Sequence, residues 1–303
     1  MFVVCLLAYL LLLGFLRYSI AMSIVANSQE IKALSLDLDG TILSPETLLT
    51  EQTVRAIQAC RDRGLRIIIN TGRSVEGAEA FRAELGIEGA MVYCNGALTA
   101  QMPDARVLRT ALLDKAAAAL CVELAREAGV YCQVFFPDGA NAAQMMLMAE
   151  QDAPEREMYY HHTRRRAEMC DLIQTLVQPE QKGCFKLMFI TESDILTPLR
   201  EKIQARLGAS VYVTQTYSTF LEVMDAKASK GQGLEAALKY YSLKRGEVLA
   251  IGDEENDLPM FAAAGFSAAP ANAKDSVKAA ADVVIGSNAD DGVAAFLEEI
   301  FAL

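Results

Sequence analysis

The stretch Ala33-Leu34-Ser35-Leu36-Asp37-Leu38-Asp39-Gly40-Thr41 decides how the chain is read. It begins as apolar/polar alternation, which predicts a strand, and it ends in two carboxylates bracketing one leucine, then a glycine. Residues two apart on a strand project from the same face, so Asp37 and Asp39 stand side by side. Like charges that close raise one pKa or call for a cation. Gly40 permits an immediate sharp turn that brings backbone N–H groups toward a ligand. Taken alone, the segment is either a strand closed by an Asp-Gly turn or a place to hold a metal and an anion.

Outward from this turn, residues 50–63 read as a helix with Val54, Ile57 and Cys60 on one face and Gly64 as its stop. Residues 65–69 are a short apolar run rich in β-branched side chains, as in a strand buried on both faces. That run ends in Asn70-Thr71-Gly72-Arg73, and Ser74 caps a helix carrying Val75, Ala78, Phe81 and Leu85. Residues 90–94 form a further buried strand, ending in Asn95-Gly96. Strands alternating with helices predict parallel crossovers, hence an α/β fold with a doubly wound parallel sheet. In such sheets ligands gather beyond the carboxyl ends of the strands. Asp37, Asp39, Thr71, Arg73 and Asn95 all fall at that kind of end.

The middle of the chain changes character. An alanine-rich helix at 114–128, strands at 130–136 and 185–190, a helix at 194–207 and a strand pair across 210–224 describe an inserted α+β module. Residues 141–150 fit strand or helix equally. Tyr159-Tyr160-His161-His162-Thr163-Arg164-Arg165-Arg166 is a cationic stretch, read as a solvated face or as a reader of a second anionic group. The α/β pattern then resumes. Ser229 caps a helix with Lys230 in its first turn, where the helix dipole disfavours a cation; Lys230 therefore serves something besides the helix. A buried strand at 248–251 runs into Gly252-Asp253-Glu254-Glu255-Asn256-Asp257, a costly cluster of acids without a cation. The bland alternative is a solvated loop with Asp257 as helix cap and Pro259 in the first turn. A last strand follows at 281–285, and Asp291 opens a terminal helix.

Composition narrows the chemistry. The chain has 303 residues, 52% of them hydrophobic, and a formal charge of −11. That charge argues against a nucleic-acid or anionic-membrane partner, since either needs a basic footprint. The seven cysteines make no C-x-x-C pair and sit mostly in apolar runs, as free thiols of a reducing, cytoplasmic setting do. Two histidines, His161 and His162, leave little scope for an imidazole metal site or a Ser-His-Asp triad, so acid–base work falls to carboxylates. Residues 2–16 are almost unbroken apolar sequence. The extension 1–29 is read as a start mis-set ahead of Met22, a membrane anchor or a signal segment; a membrane partner follows only if residues 2–16 are a retained anchor.

Three acids from two strand ends, the Thr71 hydroxyl and an isolated lysine suit a hard oxygen-ligated ion such as Mg²⁺ beside a phosphoryl group. Together, Asp37-Leu38-Asp39-Gly40-Thr41, Asn70-Thr71-Gly72-Arg73, Ser229-Lys230-Gly231 and Gly252-Asp253-Glu254-Glu255-Asn256-Asp257 resemble the haloacid dehalogenase-like superfamily. The large insert makes the chain similar to Cof-type phosphatases with an α/β cap. The resemblance covers residue 31 to the C-terminus. It implies a core of residues 30–100 and 227–303 and a cap of residues 101–226. It also implies a Mg²⁺-dependent phosphatase acting on a small phosphorylated substrate, a sugar phosphate first among candidates, through an aspartyl-phosphate.

Under that resemblance Asp37 is the nucleophile and Asp39 the acid and base. Gly40, Thr71, Gly72, Lys230 and Asn256 hold phosphate, and Arg73 and Asn95 contact substrate. Asp37, Asp39 (through its carbonyl), Asp253 and Asp257 serve the metal. A phosphomutase and a non-catalytic binding module are the alternatives. Two departures stand out: Ala269-Pro270-Ala271-Asn272-Ala273 replaces a loop common in relatives, and Glu254 with Glu255 makes the metal loop unusually acidic.

Overall fold

The computed structural model describes residues 30–139 and 141–303. The apolar run at 2–16, the alternative start at Met22 and the extension 1–29 lie outside them.

Strand β1 (Ala33–Leu36) is buried along its whole length, which is why it carries apolar residues on both faces; its one hydroxyl, Ser35, meets the Met260 sulfur at 3.1 Å. Thr50 caps helix α1 (Glu51–Asp62) by accepting from the Thr53 N–H, and strand β2 (Arg66–Ile69) follows. Ser74 caps helix α2 (Val75–Glu84) through the Gly77 N–H. Strands β3 (Gly89–Tyr93), β4 (Leu98–Met102) and β5 (Arg106–Thr110) form an antiparallel sheet. Helix α3 (Lys115–Ala128) runs from an Asp114 cap to Gly129, whose φ of +66° suits a glycine stop.

Next come β6 (Tyr131–Asp138), β7 (Asn141–Ala149), α4 (Pro154–Thr163), β8 (Glu168–Met169) and α5 (Leu172–Val177). They lead into β9 (Lys186–Ile190), α6 (Ser193–Leu207), β10 (Val211–Tyr217) and β11 (Phe220–Asp225). Ser229 caps α7 (Lys230–Tyr241). The chain ends through β12 (Val248–Ile251), α8 (Leu258–Ala263), β13 (Phe266–Pro270), α9 (Asp275–Ala280), β14 (Val283–Ile285) and α10 (Gly292–Phe301).

The described residues divide into two compact units, 30–67 with Leu243–Leu303, and Ile68–Ser242. The first holds a sheet ordered β14-β13-β12-β1-β2, with β1, β12, β13 and β14 paired in parallel. Its helices α1 and α10 pack together. Asp291, at the start of α10, joins them: its carboxylate accepts from the Thr50 and Thr53 hydroxyls, at 2.5 and 3.3 Å.

The second unit holds a six-stranded sheet, β10-β11-β9-β6-β7-β8, antiparallel except at β7·β8. Cys132, Val134 and Phe136 on β6, Leu187 and Phe189 on β9, and Leu221 and Val223 on β11 share one face of it. They belong to one apolar core with Val122 of α3, Leu172 and Leu176 of α5, and Leu196, Leu199 and Ile203 of α6. The fold class is therefore α/β, a parallel sheet flanked by helices with an inserted α+β module.

Two elements differ from or extend the sequence reading. The strand expected at 90–94 forms as β3, but it pairs antiparallel with β4 and meets the end of β2 only through a parallel bridge between Asn70 and Val92. Residues 141–149, which the sequence left open, are a strand in register with β6.

Candidate active site

In the first unit the register does most of the positioning. Leu36 lies opposite Ile251 in a parallel pair, and the Asp37 N–H donates to the Ile251 carbonyl at 3.0 Å. Asp37 and the loop opened by Gly252 therefore leave the sheet at the same level and the same edge. Residues Leu38–Ile42 then wind into one wide turn closed by Leu43 N–H to the Leu38 carbonyl at 2.9 Å. Gly40 sits in that turn at φ +74°, and a Cβ there would stand 2.2 Å from Asp253 Oδ2. Only glycine lets the Asp253 carboxylate come so near.

The acidic loop is folded inward. Asp253, Asn256 and Asp257 are all buried. Asp257 does not cap α8; its Oδ2 instead accepts from the Asp253 and Glu254 N–H groups, both at 3.0 Å. This sets aside the alternative of a solvated capping loop, and the reason is local: a Cβ at Gly252 would stand 2.3 Å from Asp257 Cγ, so glycine makes room for the carboxylate to turn back. The Thr41 hydroxyl donates to Asp253 Oδ1 at 2.7 Å.

Asp37, Asp253 and Asp257 each present a carboxylate oxygen within 4.8 Å of the others, and all three are buried. At an effective dielectric of about 20, each pair of charges at that separation repels by roughly 3–4 kcal/mol. Hydrogen bonds to a charged group return only about 1.5–3 kcal/mol each. A bound cation would offset that repulsion, and an all-oxygen donor set suits a hard divalent ion. The residues present fit such an ion. The Asp39 side chain, half-buried on the turn, is not one of the three.

Three neighbours escaped the sequence reading. The Asn272 amide donates to the Gly40 carbonyl at 2.7 Å and accepts from the Asn288 N–H at 3.0 Å. Asn288 in turn donates to the Leu43 carbonyl at 2.8 Å, so two asparagines brace the turn that carries Asp39 and Gly40. Lys274 pairs with Glu254 at 2.8 Å. Burial acts against the Lys274 charge, but Glu254, Glu255 and Asp253 outweigh it and hold the ammonium above its ordinary pKa. The extra acidity of the loop is thus partly balanced from within the chain. A polar residue shortly after β13, for Asn272 and Lys274, or after β14, for Asn288, was the available signal for these partners.

In the second unit, Thr71 is buried. Its N–H donates to the Val92 carbonyl at 3.0 Å, its hydroxyl accepts from the Arg73 N–H at 3.1 Å, and its carbonyl receives the Asn95 N–H at 3.0 Å. A Cβ on Gly72 would stand 3.1 Å from Asn95 Oδ1. Asn95 itself adopts a left-handed conformation, φ +52°. The Arg73 guanidinium donates to the Gly77 carbonyl at 3.2 Å and lies over the Phe81 ring, 5.1 Å from its centroid, both on helix α2, which follows it.

Lys230 is buried at the start of α7, and its carbonyl accepts from the Asn70 amide at 3.0 Å. A Cβ on Gly96 would overlap the Ser229 carbonyl oxygen at 1.9 Å. The Asn95 turn and the beginning of the Lys230 helix therefore touch backbone to backbone. The cationic stretch is only partly a solvated face. Tyr159 is buried against Phe135 and Phe220, and Arg165 binds the Ser74 hydroxyl, Glu76 and the Met145 carbonyl.

A model of the haloacid dehalogenase-like hydrolase family matches residues 34–297. The 5-amino-6-(5-phospho-D-ribitylamino)uracil phosphatase YwtE of Bacillus subtilis is 26% identical over 286 residues, covering 89% of this chain and 98% of that protein. The pyridoxal phosphate phosphatase YbhA of Escherichia coli is 26% identical over 275 residues, 88% of this chain and 97% of its own. Among solved structures, a haloacid dehalogenase-like hydrolase from Bacteroides thetaiotaomicron superposes with a TM-score of 0.78 at 24% identity, over 89% of this chain and all of that one.

Proposed function

The chain belongs to the haloacid dehalogenase-like hydrolase family and is a phosphatase, and from that premise we propose that it hydrolyses a small phosphomonoester through an aspartyl-phosphate on Asp37, with Mg²⁺ as its cofactor. The observation that carries this reading is the buried triad of Asp37, Asp253 and Asp257, drawn from the ends of two adjacent parallel strands. A sugar phosphate is the first candidate substrate; the two named relatives put a phosphoribitylamino-uracil and pyridoxal phosphate beside it.

Asp37, Asp253 and Asp257 would hold the ion, with the Asp39 carbonyl beside them. When bound, the ion supplies positive charge against the anionic ester. The Asp37 carboxylate attacks phosphorus and the ester oxygen leaves with a proton from Asp39. Asp39 then takes a proton from the water that opens the acyl phosphate. Gly40, Thr71, Gly72, Lys230 and Asn256 are assigned to the phosphoryl oxygens, and Arg73 and Asn95 to the rest of the substrate.

The same reading divides the chain into a core of residues 30–100 and 227–303 and a cap of residues 101–226. All the strands of the six-stranded sheet fall inside that cap range, which supports the division. A cytoplasmic setting belongs to it as well. Cys60, Cys94, Cys121, Cys132, Cys170 and Cys184 are free thiols, and among the described residues no helix is long and apolar enough to cross a membrane.

Turnover of a panel of sugar phosphates, pyridoxal phosphate and flavin-precursor phosphates, with Mg²⁺ and with EDTA, tests the proposal. It expects hydrolysis of at least one ester, abolished by EDTA and by Asp37→Asn. Activity that survives in Asp37→Asn would overturn the covalent route, and activity indifferent to EDTA would overturn the metal.

A further inference from the structure

On the face of the six-stranded sheet opposite its apolar core lies a pair of charges that the chemistry above does not use. Lys186 on β9 and Glu222 on β11 are each 1% exposed and form an ion pair. Lys186 accounts for its three N–H donors with Glu222, the Gly72 carbonyl at 2.7 Å and the face of the Phe135 ring at 4.7 Å. The second oxygen of Glu222 accepts from the Asn95 amide at 2.5 Å. Burial alone pulls the lysine toward neutrality, but Glu222, with smaller contributions from Cys94 and Tyr159, more than restores the charge.

Stability does not explain this arrangement. A buried ion pair often gains nothing over packed apolar side chains of similar volume, and every other named residue of β9 is apolar. What the pair does touch is specific. Gly72 and Asn95 belong to the two turns that carry Thr71 and abut the Lys230 helix, and those turns are already cross-bonded through Asn95 N–H to the Thr71 carbonyl and Cys94 N–H to the Arg73 carbonyl. Cys94 and Asn95 both hold left-handed conformations, φ +48° and +52°, which persist in non-glycine residues only where the surroundings over-determine them.

We propose that Lys186 and Glu222 are positioning residues: by holding the Gly72 carbonyl and the Asn95 amide they fix the Thr71–Arg73 turn in its phosphate-receiving shape. The inference rests on the reading of Thr71 and Gly72 as phosphate-holding residues. Lys186 grips one turn and Glu222 the other, and the ion pair sets the spacing between them.

The test uses the full chain with Lys186→Met and with Lys186→Met/Glu222→Met. The single variant leaves a buried carboxylate uncompensated and is expected to be the less stable. The double variant removes both charges together and keeps the test open if the single one fails to fold. In the double variant kcat is expected to fall about 100-fold, the scale of an ångström-level misplacement, while KM moves less than about threefold.

Amide exchange at residues 71–73 and 94–96 is expected to rise at least about tenfold against an unchanged sheet core. Wild-type kcat in the double variant, or exchange unaltered in those segments, would overturn the inference. A wild-type chain inactive toward every ester would overturn the proposed function instead, and the exchange measurement would still decide whether the pair fixes the turns.

Discussion

The Thr41 hydroxyl donates to Asp253 Oδ1 at 2.7 Å across 212 residues of sequence. This bond joins the turn after β1 to the acidic loop after β12, the two segments that supply Asp37 and Asp253. Thr41→Val keeps the shape of the side chain and removes the donor. A hydrogen bond to a buried charged group is worth about 1.5–3 kcal/mol, and the variant is expected to lose that much in urea unfolding monitored in EDTA. Its activity should fall as well, because Asp253 loses the hydroxyl that helps to orient it.

Metal binding should appear as stability. An ion that binds only the folded chain stabilises it by about 2.7 kcal/mol at a hundredfold excess over its Kd. Thermal unfolding of the wild type should therefore shift upward with added Mg²⁺ and return with EDTA. Asp253→Asn should unfold at a temperature insensitive to Mg²⁺ while being no less stable than wild type in EDTA, since it relieves repulsion among three buried carboxylates.

Gly96→Ala is expected to be disproportionately harmful for the addition of one methyl group. Its φ of +86° already strains any side chain, and the new Cβ would overlap the Ser229 carbonyl oxygen. Left-handed backbone costs a non-glycine residue roughly 1–2 kcal/mol before any overlap is counted. Gly129→Ala, at φ +66° with open space around it, provides the control that carries the backbone strain alone. The difference between the two in urea unfolding measures the contact between the Asn95 turn and the Lys230 helix.

Buried thiols set an alkaline limit. Burial pushes Cys60, Cys94 and Cys121 from an ordinary value of 9.0 up to about 12. Below pH 9 these thiols are protonated in both folded and unfolded chains and cost nothing. Between pH 9 and about 12 the unfolded chain loses the protons and the folded chain keeps them, so stability falls as pH rises through that window. Unfolding free energies measured from pH 8 to 11 should decline, and the decline should shrink in Cys121→Ala. The same burial predicts that these thiols resist alkylation in the native chain at pH 8.

Much of the first unit was legible because parallel strands buried on both faces show as unbroken apolar runs, and the residue that ends each run is where a ligand can sit. Asp253 was found that way, and Asp37 at the end of a run that reads as apolar/polar alternation. The caps Ser74 and Ser229 were legible from position alone, and both make the expected bond. Residues 141–149 were not legible, since Ala, Gln, Met and Leu favour helix and only pairing with β6 makes them a strand. Lys186 and Glu222 each look like one polar residue in a strand. Their meaning depends on β9 and β11 being neighbours, with Lys186 and Glu222 on the same face, which no local pattern announces. Asp257 read two ways in the sequence, as a helix cap and as a carboxylate serving a metal, because an acid before a helix is a good cap anywhere; the space left by Gly252, which lets it turn inward beside Asp253, shows only in the fold.

The most direct test of the proposed chemistry is to trap the acyl phosphate. The chain is quenched in acid during turnover of its best ester with Mg²⁺, reduced with borohydride and mapped by peptide mass spectrometry. Reduction of an aspartyl-phosphate leaves homoserine, and the prediction is homoserine at position 37, absent without substrate and absent in Asp37→Asn. Turnover in the wild type with Asp37 unmodified, or a reduced residue at any other position, would contradict it.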